Sequence, residues 1–443
     1  MLTAQRYPAV AHKLLERFED ARRKSDALFE IVKPEALYDR PIPERHRIVF
    51  YIGHLEAFDW NLLHDVVLGS KSFNPEFDRL FAFGIDPVGG GLPSDQVSDW
   101  PAIERVREYV QGVRSALDEK LSEDFDPQVQ ARDGFPLDTI LNVAIEHRLM
   151  HVETLSYMLH QLPLNRKISR PTPVAPSQPT ISHSMIKMPA GDAVLGLSRN
   201  SEVFGWDNEF ESHTMHVPAF EIDRYMVTNQ QFLQFLEAGG YETRSLWSAD
   251  DWRWKNDQQI WHPVFWNKSG ESWVYRTMFN EIPLPPDWPV YVSHAEAAAY
   301  AQWAVKGLPT EEQWHRAAYG TPEGTQRLYP WGDEPPTASH GNFDFYSFNP
   351  HPVNAYPQGQ SAFGVDGLLG NGWEWTSTVF APFPGFRPFP FYRGYSADFF
   401  DGKHFVMKGG SARTAACMLR PTFRNWFQSH YQYVYAGFRC VNA

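Results

Sequence analysis

Two imidazoles stand four residues apart in the run Glu146-His147-Arg148-Leu149-Met150-His151-Val152-Glu153. On a helix, positions i and i+4 share one face about one turn apart, so both rings can reach a single cation. Glu153 comes two residues after His151, off that face, and reads as a carboxylate that orients a ligand ring or a neighbouring helix. Paired histidines on a helix also occur as solvated or satisfied core residues, so a metal site needs a third ligand. His54, in Tyr51-Ile52-Gly53-His54-Leu55-Glu56-Ala57-Phe58-Asp59-Trp60, is the candidate, because it lies among apolar residues on another expected helix. The bland alternative is a buried structural histidine held by Asp59. His64 competes for the ligand role but falls near the end of its helix. Three neutral imidazoles without a carboxylate suit Fe(II), Zn(II) or Cu(II) alike.

Helical patterning places these residues. Apolar residues recur at helical spacing over 8–32, 45–68, 101–122 and 136–162, which predicts a four-helix bundle with the histidines on its second and fourth members. The connection 69–100 is long and holds Gly89-Gly90-Gly91, the profile of a functional loop. The segment 163–182 contains five prolines and little apolar content, and reads as a semi-rigid linker. Beyond it the pattern changes to short apolar bursts broken by Gly and Pro. Helices are expected at 293–305 and 309–319, each opened by a capping box, Ser293 with Glu296 and Thr310 with Gln313. The division is therefore bundle 1–162, linker 163–182 and a loop-rich domain of short strands over 183–443.

Bulk composition narrows the function. A length of 443 residues requires more than one core, and 43% hydrophobic with 21% charged residues is ordinary for a soluble globular chain. A net charge of −13 argues against a nucleic-acid partner, which needs a basic face. No apolar run is long enough for a membrane span, and no basic-then-apolar start marks a signal peptide. Two cysteines, Cys417 and Cys440, point to a reducing, cytoplasmic location. Aromatic residues reach 15% and concentrate after residue 200, the mark of irregular backbone held by large flat side chains.

Several motifs stand in a specific order: His147-Arg148-Leu149-Met150-His151-Val152-Glu153, Phe204-Gly205-Trp206-Asp207-Asn208-Glu209, Val227-Thr228-Asn229, Leu308-Pro309-Thr310-Glu311-Glu312-Gln313-Trp314, Gly370-Asn371-Gly372-Trp373-Glu374-Trp375-Thr376, Lys408-Gly409-Gly410-Ser411 and Arg424-Asn425-Trp426. Through them the chain resembles, over nearly its whole length, the sulfoxide synthases of ergothioneine biosynthesis. Those proteins join a DinB-like four-helix bundle to a C-terminal domain of the formylglycine-generating-enzyme type, a C-type-lectin-like fold, so the resemblance implies an α+β chain. It also implies Fe(II) held by His54, His147 and His151, activation of O2, and joining of a thiol donor to C2 of the imidazole of hercynine, the trimethylated betaine of histidine. Arg424, Asn425 and Trp426 then line a substrate pocket in the C-terminal domain, where a trimethylammonium group favours an aromatic face. Tyr392 and Tyr395 are the candidates for a tyrosine near iron that serves as proton donor and redox partner.

The chain departs from that family at informative places. Met150 stands where many members carry Gln. Phe427 and Tyr431 stand where the mycobacterial type carries the Asp and Arg that read γ-glutamylcysteine, so free cysteine is the better donor. A selenol donor, as in the related selenoneine synthases, is the alternative. The stretch Phe81-Ala82-Phe83-Gly84-Ile85-Asp86-Pro87 replaces an Asn-Ser-Tyr-Tyr loop. Two further readings compete. A copper-dependent formylglycine-generating oxidase needs two cysteines close together in the C-terminal core, where Cys417 alone falls, Cys440 being near the terminus. A non-catalytic binding protein of lectin-like fold needs no metal. Exposed bundle faces leave room for a homo-oligomer.

Overall fold

The computed structural model describes residues 7–64, 69–83, 92–122, 126–171 and 181–442, which divide into two compact units, Met1–Arg170 and Pro171–Ala443. The first unit contains α1 (Tyr7–Phe29), α2 (Ile48–Leu63), α3 (Pro75–Phe83), α4 (Ile103–Ser122) and α5 (Leu137–Gln161), with a small hairpin of β1 (Gln130–Arg132) and β2 (Phe135–Pro136) before α5. α2 and α5 bury residues on every face, as helices that are apolar all round must. α1 packs on α5, while α3 and α4 pack on α2. α5 stops at Leu162, ahead of Pro163, whose ring cannot continue a helix.

Two expectations for this unit are corrected. The stretch 69–100 is not one long loop, because α3 folds within it. Pro75 fits the first turn, where no N–H is required, and Asn74 Oδ1 accepts from the Phe77 N–H at 3.1 Å. Phe77 and Phe81, four residues apart, give α3 its buried side. Gly89–Gly91 and residues 65–68 lie outside the described residues. The linker also begins later than Pro163. Leu164–Arg166 form a 3-10 turn, the Lys33 N–H donates to Arg166 O at 3.1 Å, and the Ile168 N–H donates to Ile31 O at 2.7 Å. Lys167 is buried and its ammonium donates to the carbonyls of Leu159 and His160 at 3.0 and 3.2 Å, closing the C-terminus of α5. Residues 172–180 of the expected linker lie outside the described residues.

The second unit is built from short antiparallel pieces. β3 (Met185–Met188), β6 (Phe220–Asp223) and β14 (Val441–Asn442) form one sheet with β6 central, and β4 (Gly191–Leu195) pairs with β5 (His213–Val217). β7 (Trp266–Ser269), β8 (Ser272–Arg276) and β9 (Glu281–Pro283) make a meander. The largest sheet runs in the order β12 (Asn425–Gln428), β11 (His404–Gly410), β10 (Gly372–Val379), β13 (Ala436–Gly437), with β13 parallel to β10. Helices α6 (Asn229–Glu237), α7 (Ala249–Asp257), α8 (His294–Trp303) and α9 (Glu311–Tyr319) surround these strands in sequence. The boxes at Ser293 and Thr310 form as expected and open α8 and α9, and the same signature at Thr228 and Gln231 opens α6. Trp206, Trp266, Trp288, Trp314, Trp373 and Trp375 are fully buried, so much of the aromatic excess fills the core. Arg439 and Glu374, both fully buried, pair bidentately at 2.6 and 2.7 Å, and the Trp314 indole donates to the same carboxylate at 3.1 Å. No helix among the described residues is long and apolar enough to cross a membrane.

Candidate metal centre

Three histidines of the first unit converge. His54 comes from α2 and His147 and His151 from α5, and one nitrogen of each lies within 4.8 Å of the others. The Nε2 atoms of His54 and His151 are 3.2 Å apart. Metal–nitrogen bonds of about 2.1 Å hold adjacent ligands about 3 Å apart, so this pair already sits at ligand spacing. His54 and His147 are buried and His151 is half-buried.

The surroundings fix ring orientation. His54 Nδ1 donates to the Phe81 carbonyl at 2.7 Å, which leaves Nε2 as the bare acceptor facing its partners. Phe58 stacks on His147 with centroids 3.4 Å apart at 11°, and Phe50 stacks on His54 at 4.7 Å and 25°. Tyr51 tilts against His151 at 5.8 Å. Burial depresses the basicity of all three rings. It brings His54 down to about 4, even though its bond to Phe81 pulls the other way. Burial, the neighbouring rings and Arg148 hold His147 well below the ordinary histidine value; burial, His54, Arg45 and Arg148 do the same for His151. Neutral imidazoles with converging nitrogens are the donor set that a borderline divalent cation takes.

Other expected residues fall differently. His64 stacks on Trp60 at 5.2 Å and its Nδ1 meets the Ser70 carbonyl at 3.1 Å, outside the three-histidine group. Asp59 does not hold His54, which uses the Phe81 carbonyl instead. Asp59 Oδ2 accepts from Arg148 Nη2 at 2.6 Å, because an unpaired guanidinium in this interior is far costlier than a neutral ring. Glu153 is buried in α5. The Phe81 carbonyl and Arg148 were not expected at the site. A signal for the second was present, since an arginine interrupts an otherwise apolar stretch between the two α5 histidines.

In the second unit, Trp426 stacks on Phe380 at 4.2 Å and 6°, with Tyr395 edge-on at 5.4 Å. Tyr395 is buried and stacks on Trp206 at 3.9 Å. Burial and the nearby Asp207 push Tyr392 up to about 12. Phe427 and Tyr431 stack at 4.8 Å and 19°. Asn425 is a strand residue that pairs with Met407 of β11, and its Oδ1 accepts from the Trp426 N–H at 2.9 Å. Arg424, expected beside the substrate, holds other partners in this structure. It is buried, grips Glu311 at 2.9 and 3.0 Å, and donates to the Ala381 carbonyl at 3.0 Å, which leaves little of its fork for a substrate. Cys417 and Cys440 are not joined in a disulfide.

Residues 17–155 match the family described as DinB superfamily, and residues 171–443 match the Sulfatase-modifying factor enzyme 1-like domain. A hercynine oxygenase of Mycolicibacterium thermoresistibile is 37% identical over 447 residues, covering 97% of this chain and 95% of that protein. The chain belongs to the hercynine oxygenase family. A hercynine oxygenase of Mycobacterium tuberculosis is 41% identical over 249 residues, 56% of this chain and 58% of that protein. Ergothioneine biosynthesis protein 1 of Neurospora crassa is 27% identical over 503 residues, 93% of this chain and 55% of that protein. Membership in the hercynine oxygenase family makes the chain an oxidoreductase, and a sulfatase-modifying-factor fold follows its DinB bundle.

Proposed function

We propose that the protein is an Fe(II)- and O2-dependent sulfoxide synthase that joins free cysteine to the imidazole C2 of hercynine. The convergence of His54, His147 and His151 supports this most strongly, because three neutral nitrogens from two helices leave the remaining coordination positions of one cation open. Iron, when bound, supplies O2 activation and keeps a coordinated thiol deprotonated. The chain's own residues orient and shield. Phe50 and Phe58 cover the faces of two ligand rings, and the Phe81 carbonyl sets the His54 tautomer. Trp426 offers an aromatic face to a trimethylammonium group, Asn425 a polar neighbour on the same strand, and Tyr392 and Tyr395 the phenols of that aromatic cluster.

Phe427 and Tyr431 support the choice of donor. An uncharged stacked pair there offers no ion-pairing group for the extra carboxylate and amine of γ-glutamylcysteine, which favours a smaller thiol. The same loss of charge favours a second reading, a selenol donor. Anaerobic loading with Fe(II), then hercynine, O2 and one of cysteine, γ-glutamylcysteine or a selenosugar, separates these by product mass. A cysteine–hercynine sulfoxide supports the first reading and a C–Se product the second. Product from γ-glutamylcysteine alone overturns both, and no coupled product with any donor overturns the synthase assignment.

A further inference from the structure

The guanidinium of Arg148 is buried between the helices that carry the three histidines. Nη2 donates to Asp59 Oδ2 at 2.6 Å and to the Leu55 carbonyl at 3.0 Å. Nη1 donates to Glu56 Oε1 at 3.0 Å and to Ser25 Oγ at 3.3 Å. Arg148 directly follows His147, and Leu55 directly follows His54. One side chain therefore ties the backbone beside one candidate ligand to the backbone beside another.

We propose that Arg148 is a positioning residue for the metal centre, a clamp that fixes α5 against α2 in the register where the three histidine nitrogens meet. This rests on the three-histidine reading above. Apolar helix faces tolerate sliding and rotation, and a shift of one turn is about 5.4 Å, more than enough to separate nitrogens 3.2 Å apart. Replacing a whole buried ion pair by apolar groups often leaves stability unchanged, and fixing register is the best-attested use of such groups. The clamp is also anchored from outside. Glu56 accepts from Arg114 Nη2 of α4 at 2.7 Å and lies 3.8 Å from Arg22 of α1. Four helices of the bundle thus converge on the carboxylate that Arg148 grips.

The test compares Arg148→Met, Arg148→Lys and Asp59→Asn in the full chain. The control is Asp95→Asn, which removes a buried carboxylate that serves Arg40 and Arg47 of the same unit without touching α5. Far-UV circular dichroism and thermal unfolding without metal report the fold. Anaerobic titration with Co(II), read by its visible spectrum, reports affinity and ligand geometry. We expect Arg148→Met to fold but bind Co(II) on the order of ten- to a hundredfold more weakly with an altered spectrum. Arg148→Lys recovers part of the affinity. Asp95→Asn loses thermal stability but keeps wild-type affinity. Wild-type affinity in Arg148→Met overturns the proposal, as does an equal loss in Asp95→Asn. If Arg148→Met does not fold, Asp59→Asn decides, and wild-type affinity there overturns the clamp. A wild-type protein that binds neither Fe(II) nor Co(II) overturns the metal reading itself, whereas normal wild-type binding with indifferent variants overturns only the clamp.

Discussion

Replacing a single ring at position 151 tests the centre most directly. His151→Ala leaves the buried pair His54 and His147, which is one ligand short of a stable site. Metal analysis after anaerobic loading should fall from one iron per chain to a small fraction. An unchanged iron content would remove His151 from the site. Much of this centre is legible in the sequence. The i, i+4 pair is visible in the letters, and His54 stands out as a polar ring among apolar neighbours. What surrounds the rings is not legible. The bond from His54 to the Phe81 carbonyl joins positions 27 residues apart and uses a backbone atom, which no side-chain pattern announces. Asp59 was visible as a neighbouring carboxylate, but its partner is a cation from another helix.

Among the elements, α2 and α3 meet at Gly53. A Cβ on that residue would lie 2.4 Å from two ring carbons of Phe81, which is itself fully buried. Glycine to alanine inside a helix normally stabilises by about 1 kcal/mol. Here the added methyl must push α3 outward, so Gly53→Ala should destabilise by roughly 1–3 kcal/mol in urea unfolding. It should also weaken Co(II) binding, because Phe81 holds His54; stabilisation by the variant would contradict the packing described. The long central helices and the two capped helices α8 and α9 follow from apolar periodicity and capping chemistry. α3 is hidden because nine residues offer little more than two turns of pattern, set in a stretch with loop-forming neighbours. α7, opened by Ser248, is hidden because its sequence is polar and its tertiary contacts rather than its periodicity hold it.

For the molecule as a whole, acid is the informative stress. His294 is buried against Phe405 at 3.7 Å, and burial lowers it to about 4 from an unfolded value near 6.5. The unfolded chain takes up this proton as pH falls through 6.5, and the folded chain does so only near 4. The stabilisation is therefore complete above 6.5 and is lost as pH falls toward 4. At pH 5 this one ring should have cost roughly 2 kcal/mol of the stability seen at pH 7. Urea unfolding followed by tryptophan fluorescence at both pH values, compared with His294→Asn, isolates it; equal pH slopes would refute the assignment. The segment after Pro163 bears on how such measurements should be set up. A stop codon placed after Leu162, where the last long helix ends, would delete the ammonium that plugs that helix and the short strap that runs back beside Ile31. Expressed alone, residues 1–170 should melt in one sharp transition and take up Co(II), whereas residues 1–162 should melt earlier and more broadly. The safe place to cut this gene in two is eight codons further on than its most obvious proline suggests.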